Sequence, residues 1–361
     1  MLSEYKKSIG LWMNKIRLGL YSALAMASAN IQAHGLMPGS QSQVNFFVHV
    51  DSIQRDGTTT KREEFTLGEA ALFAATRLSD RWSALTEITY QPALYRSDTV
   101  KVERLQLRYE ISEEQYFVIG KVHTPMNYWN DTYHHGRFFF PTISRPLAFE
   151  RFIPIHDIGL RWGGREIGDK KFFFDVVAGS GISAESEHEF FGNGVNAGTL
   201  SAGFYPTDDW LLQVGYYRDK LIDHESLPGH NAHMAMPNMA PVDLDYDLWA
   251  MSSHFENSSY KLLTEVSLNR TEDSDWNYSL YQYAGYKLNP DVTAYAYYDV
   301  TSVEDGGIHF IPGEESRIGI GVSYFFDVSA VFKLELIDHE EDLGLGPEDG
   351  IELRAQVAVG F

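Results

Sequence analysis

Beyond its first 33 residues this chain offers no run of the ~18–20 uninterrupted apolar residues that a membrane helix needs, yet apolar and polar residues alternate one by one down most of its length. A period of two is that of a β-strand with one apolar face. The final segment shows it best: Ile351, Leu353, Ala355, Val357, Val359 and Phe361 fall on one face, Glu352, Arg354, Gln356, Ala358 and Gly360 on the other. Any sheet could carry one such face. A chain that repeats it throughout needs an apolar neighbour along its whole length.

The alternation predicts strands over 42–52, 64–77, 81–92, 99–111, 115–123, 155–165, 170–180, 194–206, 209–219, 245–257, 259–271, 275–288, 291–300, 316–326, 328–338 and 349–361, sixteen in all. Ser79-Asp80, Ser112 to Glu114, Ile167 to Asp169, Thr207-Asp208, Asn257-Ser258, Asn289-Pro290 and Asp327 mark tight turns, and the connections between them are mostly long. In 316–326, Ile318, Ile320, Val322, Tyr324 and Phe326 oppose Arg317, Gly319, Gly321 and Ser323; in 99–111, Leu105, Leu107, Tyr109 and Ile111 oppose Arg104, Gln106, Arg108 and Glu110. Short turns at one end, long loops at the other and apolar outer faces describe an all-β fold, a transmembrane antiparallel barrel with both termini at the short-turn end. A soluble sandwich with polar outer faces explains neither the loop alternation nor the aromatics. The chain holds 7 Trp, 21 Tyr and 22 Phe, and Trp82, Tyr90, Trp210, Tyr216, Trp276, Tyr286, Tyr324 and Phe326 sit toward strand ends, where amphipathic rings suit the headgroup level.

Residues 1–33 read as a secretory signal peptide with an N-terminal extension: Met13 to Arg17 is a basic n-region, Leu18 to Ala27 an apolar h-region, and Met13 the natural start. Cleavage after Ala29 fits the small-residue rule better than cleavage after Ala33. Residues 34–361 then form a single barrel domain. Fifty acidic against 29 basic residues, a net charge of −21, argue against nucleic acid as a partner. The absence of Cys excludes disulfides and thiol chemistry. No nucleophile motif frames a Ser, and Gly163-Gly164 and Gly192 to Gly194 lack the Lys and helix of a phosphate loop. The expectation is a protein that is not an enzyme and holds no cofactor.

With its signal segment, sixteen alternating strands and terminal Phe361, the chain from about residue 40 onward resembles the outer-membrane porins of Gram-negative bacteria. The resemblance implies a homotrimer in the bacterial outer membrane, in contact with outer-membrane lipids and lipopolysaccharide. It also implies that the barrel-assembly machinery reads Phe361, and that the loop after the fifth strand folds into the barrel to narrow a water-filled channel for small hydrophilic solutes or ions. That loop is 124–154, rich in rings from Tyr128 to Phe152. The Pro-Glu-Phe-Gly type of run often seen in constriction loops is absent, so their charge layout does not carry over.

Folded inside, the loop would bring Asp131, His134, His135, Arg137, Arg145, Glu150 and Arg151 to the constriction. Wall residues facing the lumen by parity include Glu87, Arg104, Arg108, Glu110, Lys121, His123, Asp157, Arg161, Lys261, Glu265, Arg317, Lys333, Glu335, Glu352 and Arg354. Fixed charges in such a pore set which ions pass. Passive diffusion ranks first; a substrate-specific porin for an anion or a sugar, and a plugged barrel serving as scaffold or adhesin, are the alternatives. Gly159, Gly203, Gly215, Gly319 and Gly321 on inward parity favour an open lumen. His224, His230, His233, Met236 and Met239 in loop 220–244 could suit copper. With no fixed ligand spacing, they read instead as an adaptable outer loop without a metal.

Overall fold

The computed structural model describes residues 41–58, 61–91, 99–133, 137–182, 194–221, 243–305, 309–343 and 347–361. Residues 1–40, where the signal peptide is expected, His134, His135 and the His/Met-rich stretch 222–242 lie outside them. Sixteen strands run in chain order: β1 Gln41–Gly57, β2 Lys61–Arg77, β3 Trp82–Gln91, β4 Thr99–Glu110, β5 Gln115–His123, β6 His156–Ile167, β7 Phe172–Gly179 and β8 Ala197–Thr207. They continue as β9 Trp210–Leu221, β10 Leu244–Glu256, β11 Tyr260–Thr271, β12 Asn277–Asn289, β13 Val292–Val303, β14 Gly313–Asp327, β15 Ala330–Asp342 and β16 Glu348–Gly360. Two short helices, α1 Tyr128–Tyr133 and α2 Leu147–Arg151, interrupt the connection between β5 and β6.

Each strand pairs antiparallel with the next, and β16 returns to β1. The seam runs from Phe47 opposite Gly360 to Gly57 opposite Gly350, and Phe46 and Phe361 exchange both backbone hydrogen bonds at its end. Closure leaves no strand edge, which is what a sheet in hydrocarbon requires, since an unpaired backbone N–H or C=O there has no water to bond. The outer face is apolar, with Leu105, Ile119, Leu200, Val214, Met251, Val266, Ile318, Ile320, Leu336 and Ile351 among its exposed side chains. A continuous belt of this kind far exceeds the patches tolerated in water and suits lipid. Trp82 packs on Tyr109 with ring centroids 4.7 Å apart, and Tyr260 on Tyr286 at 5.3 Å, near the short-turn end.

Strand boundaries differ from the sequence reading mainly at the first hairpin. There β1 continues to Gly57 and β2 begins at Lys61, although Gln54 to Gly57 and Lys61 to Glu64 carry no apolar alternation. Their backbones stay paired, Arg55 opposite Arg62 and Asp56 opposite Lys61, while the Lys61 and Asp56 side chains form an exposed ion pair at 2.9 Å. Alternation marks only the part of a strand that meets an apolar neighbour. Pairing alone extends it further.

Candidate functional site

The connection between β5 and β6 folds back inside the barrel and lies against β9 to β16, and wall carboxylates hold it there. A helix begins with backbone N–H groups that have no partner within it, and a carboxylate at that end gains from the helix dipole as well. For α1, Trp129 N–H donates to Glu265 Oε1 at 2.9 Å, Tyr128 N–H to Ser252 Oγ at 3.0 Å and Asn127 Nδ2 to Glu265 Oε2 at 3.1 Å. For α2, which has no side-chain cap of its own, Leu147 N–H donates to Asp299 Oδ2 at 2.7 Å. Between the helices Glu335 accepts from the backbone of Ile143 and Ser144, the Ser144 hydroxyl and the Tyr295 hydroxyl. The next inward segment is held alike: Gly181 N–H donates to Asp157 and Ile182 N–H to Asp219.

Rings fill the space between loop and wall. Trp129, Tyr133, Phe140 and Phe149 pack with Tyr281, Tyr283, Tyr295 and Tyr297 of β12 and β13. Arg145 is 3 % exposed, with its guanidinium carbon 5.1 Å from the centre of the Phe149 ring and 5.6 Å from that of Phe140. Burial pushes its pKa down to about 9, so it remains a cation at neutral pH. Arg137 donates to the Ile143 carbonyl at 2.7 Å, while its own carbonyl accepts from Lys333. Arg151 donates to Thr301 Oγ1 and the Ile311 carbonyl and stands 3.9 Å from Glu315. Glu150 lies 3.5 Å from Arg317, and Asp131, exposed, 3.4 Å from Arg161 across the lumen. Of the expected constriction charges, Arg145 is therefore inside the loop's own core, not at its surface.

The wall of β1 to β6 is different, because the loop leaves much of it bare. Arg104 Nε meets Glu87 at 2.6 Å, and Arg108 Nε meets Glu110 at 2.7 Å. Arg161 and Arg165 share Asp175, at 2.7 and 2.8 Å. Tyr116 donates to the same carboxylate at 2.7 Å, and its ring lies 3.7 Å beneath the Arg108 guanidinium. Asp175 and Glu87 are each 2 % exposed, whereas Arg104 and Arg165 are partly open to the lumen and Arg161 is nearly buried. Arg317 and Arg354 pair with Glu315 and Glu352 two residues away on the same face, and Arg354 also reaches the Ser144 hydroxyl at 3.2 Å. Glu87 and Asp175 lie deeper than the Arg104 and Arg165 groups that pair with them, whereas Arg108 and Glu110 are equally exposed.

Two expectations need correction. Lys121 does not face the lumen. It stands opposite Leu105 and Ile158, and Leu105 is 57 % exposed on the outer face; His123 shares that parity. In β5 both faces are apolar, because Tyr116, Val118 and Val122 pack inward with Val177, so alternation could not tell one side from the other. Nor do the inward glycines widen the lumen. A Cβ at Gly319 would sit 2.2 Å from the Tyr297 ring, at Gly321 2.5 Å from Tyr295, at Gly203 2.3 Å from Phe173 and at Gly215 2.4 Å from the Met126 carbonyl. These positions are already filled by rings and by the loop. Asp299, Asp219, Asp175 and Arg165 were missed as wall residues although parity alone places them inward; that the carboxylates meet loop N–H groups and arginines is a tertiary fact.

A closed sixteen-strand antiparallel barrel, apolar outside, with charged walls and an infolded loop has the β-barrel fold of the outer-membrane porins. Solved structures similar to it include the OmpF porin of Salmonella typhi in complex with daunomycin, at 12% identity and TM-score 0.62 over 90% of this chain and 98% of that one. An anion-selective porin from Comamonas acidovorans matches at 8% identity and TM-score 0.62, over 89% and 100%. OmpT, an outer-membrane protein of Vibrio cholerae, matches at 12% identity and TM-score 0.60, over 92% and 99%. At these identities the likeness is one of fold. No protein-family model and no curated protein matches the sequence.

Proposed function

We propose that this protein is a diffusion channel of the bacterial outer membrane, exported by its signal peptide, that passes small hydrophilic solutes and ions with a preference for anions. The observation that carries the reading is the division of the lumen: the infolded loop covers one half of the wall and leaves the other open. On that open half the guanidinium groups of Arg104 and Arg165 overlie the buried carboxylates of Glu87 and Asp175. In a narrow, weakly screened passage the nearest charges set the field that an ion meets, and here they are Arg104, Arg165 and the Arg108–Glu110 pair. The reading involves no chemical step and no cofactor; solutes are sorted by size and charge. The homotrimer, the lipopolysaccharide contacts and the recognition of Phe361 by assembly machinery belong to the same proposal, supported by the terminal ring packed on Phe46 at 5.5 Å and by a solved trimer form of Vibrio cholerae OmpT.

The test is single-channel recording of purified, heat-modifiable protein in a planar bilayer with a salt gradient across it. Steady ohmic steps with a reversal potential of anion-selective sign are expected. Silence from folded protein would reject the channel and favour a plugged scaffold.

A further inference from the structure

The inner wall of β1 to β4 carries side chains that a water-filled passage does not need. Cross-strand register sets them in three rows. Nearest the short-turn end stand Arg77, Ser83 and Arg108; above them Gln43, Ala75, Leu85 and Gln106; above those Asn45, Phe73, Glu87 and Arg104. Apolar Phe73, Ala75 and Leu85 thus face the lumen between two levels of guanidinium. The Arg104 guanidinium lies 5.2 Å from the centre of the Phe73 ring. Arg77, 60 % exposed, touches the Ser79 carbonyl and Asp80. A cavity of about 520 Å³ opens over the lower two rows, lined by Ala75, Arg77, Leu85, Gln106 and Arg108 among others.

We infer that this cavity binds small organic carboxylates with an apolar body, benzoate-like in size, as they cross the lumen. The inference rests on the channel reading and names the solute class for which the open half is built. Apolar side chains facing a wet pore lose nothing by being covered, and the covering group gains in proportion to the area taken from water. Arg108 already gives its Nε and Nη2 to Glu110 at 2.7 and 3.3 Å. Arg77, whose contacts are longer and exposed, is therefore the guanidinium at the edge of that surface that meets the carboxylate, with N–H donors in a flat geometry that an ammonium group cannot reproduce. The volume lies within the roughly 300–1,000 Å³ of small-molecule sites. Inorganic anions meet only the arginines. An apolar cation meets the apolar rows but is repelled by Arg77 at their edge, the Arg108 charge being matched by Glu110.

The experiment records single channels in KCl while benzoate, acetate, benzyl alcohol or benzylammonium is added from the short-turn side. Benzoate should interrupt or reduce the current at concentrations about tenfold below those of acetate, the difference that burying a ring against Leu85 and Ala75 confers. Benzyl alcohol and benzylammonium should act no better than acetate. Equal action of benzoate and acetate overturns the site; equal action of benzoate and benzylammonium overturns its recognition of charge. In channels that still conduct KCl, Leu85→Gln should remove the advantage of benzoate over acetate, and Arg77→Gln should weaken benzoate most. If either variant fails to fold, the probe series on the unaltered protein decides. Absence of KCl current from folded protein refutes the channel instead. Calorimetric titration of benzoate into the detergent-solubilised barrel, with micelles alone as reference, then settles the site separately: saturable binding supports it and none overturns it.

Discussion

The two halves of the lumen wall use the same residue types to opposite ends. From β9 to β16 the deep carboxylates Glu265, Asp299 and Glu335 face loop N–H groups, and the loop that they hold covers them. From β3 to β7 the deep carboxylates Glu87 and Asp175 face arginines, of which Arg104 and Arg165 meet the solvent themselves. A buried carboxylate must find donors. Whether these come from a neutral backbone or a cation decides whether the wall ends up silent or charged. Net charge, −21 over the chain, therefore says little about the field inside.

The hardest test of this contrast is to release the covered half. Glu335→Leu leaves the N–H groups of Ile143 and Ser144 and the Tyr295 hydroxyl without their acceptor, at an expected cost of about 3–5 kcal/mol in the attachment of the loop. Unitary conductance should rise and become noisy, and trypsin should cut after Arg137 or Arg151. Unchanged current and intact loop would show that the carboxylates do not hold it. Next in size, Gly215→Val drives a side chain into the Met126 backbone and should destabilise the folded barrel by about 1–3 kcal/mol, read as a lower melting temperature. The same bulk added at Ala75, which faces open lumen, should shift stability by no more than about 0.5 kcal/mol. Equal effects at the two sites would erase the distinction between the halves.

On the open half the prediction concerns charge. Asp175→Asn frees Arg161 and Arg165 from their shared carboxylate, and Arg108→Glu reverses one charge at the wall. The first should raise, and the second lower, the anion-to-cation permeability ratio, each by about twofold. Reversal potentials measure both, and a shift in the same direction for the two variants would refute the assignment.

How much of this was legible beforehand follows from what each feature depends on. The barrel was readable because lipid imposes one rule on every strand, and Ile318, Ile320 and Ile351 obey it. Lys121 was misplaced where that rule loses contrast, in a strand whose inward Val118 and Val122 are as apolar as its outward Phe117 and Ile119. Glu265 and Glu335 were recognisable as inward by parity, but not as the partners of Trp129 and Ile143, which lie more than a hundred residues away in sequence. Arg145 misled for a related reason: in a loop facing water an arginine is a surface charge, and only the ring pair Phe140 and Phe149 shows that it is a core residue.

That arginine supports the finest comparison, between a cation buried in the covered half and those open in the other. Arg145→Lys keeps the charge but replaces a flat group set against two rings by a compact, strongly hydrated ammonium. The loss should be about 1–2 kcal/mol in the hold of the loop, seen as faster hydrogen exchange over 143–152 with little change in conductance. Because burial lowers this group's pKa from 12.5 to about 9, the unfolded chain binds its proton more tightly. The penalty is full below pH 9 and is relieved as pH rises toward 12.5. In the unaltered protein this group should therefore make protection of the loop rise with pH above 9, and Arg145→Met should abolish that rise. A slope that survives the Met variant would place the titrating group elsewhere in the lumen.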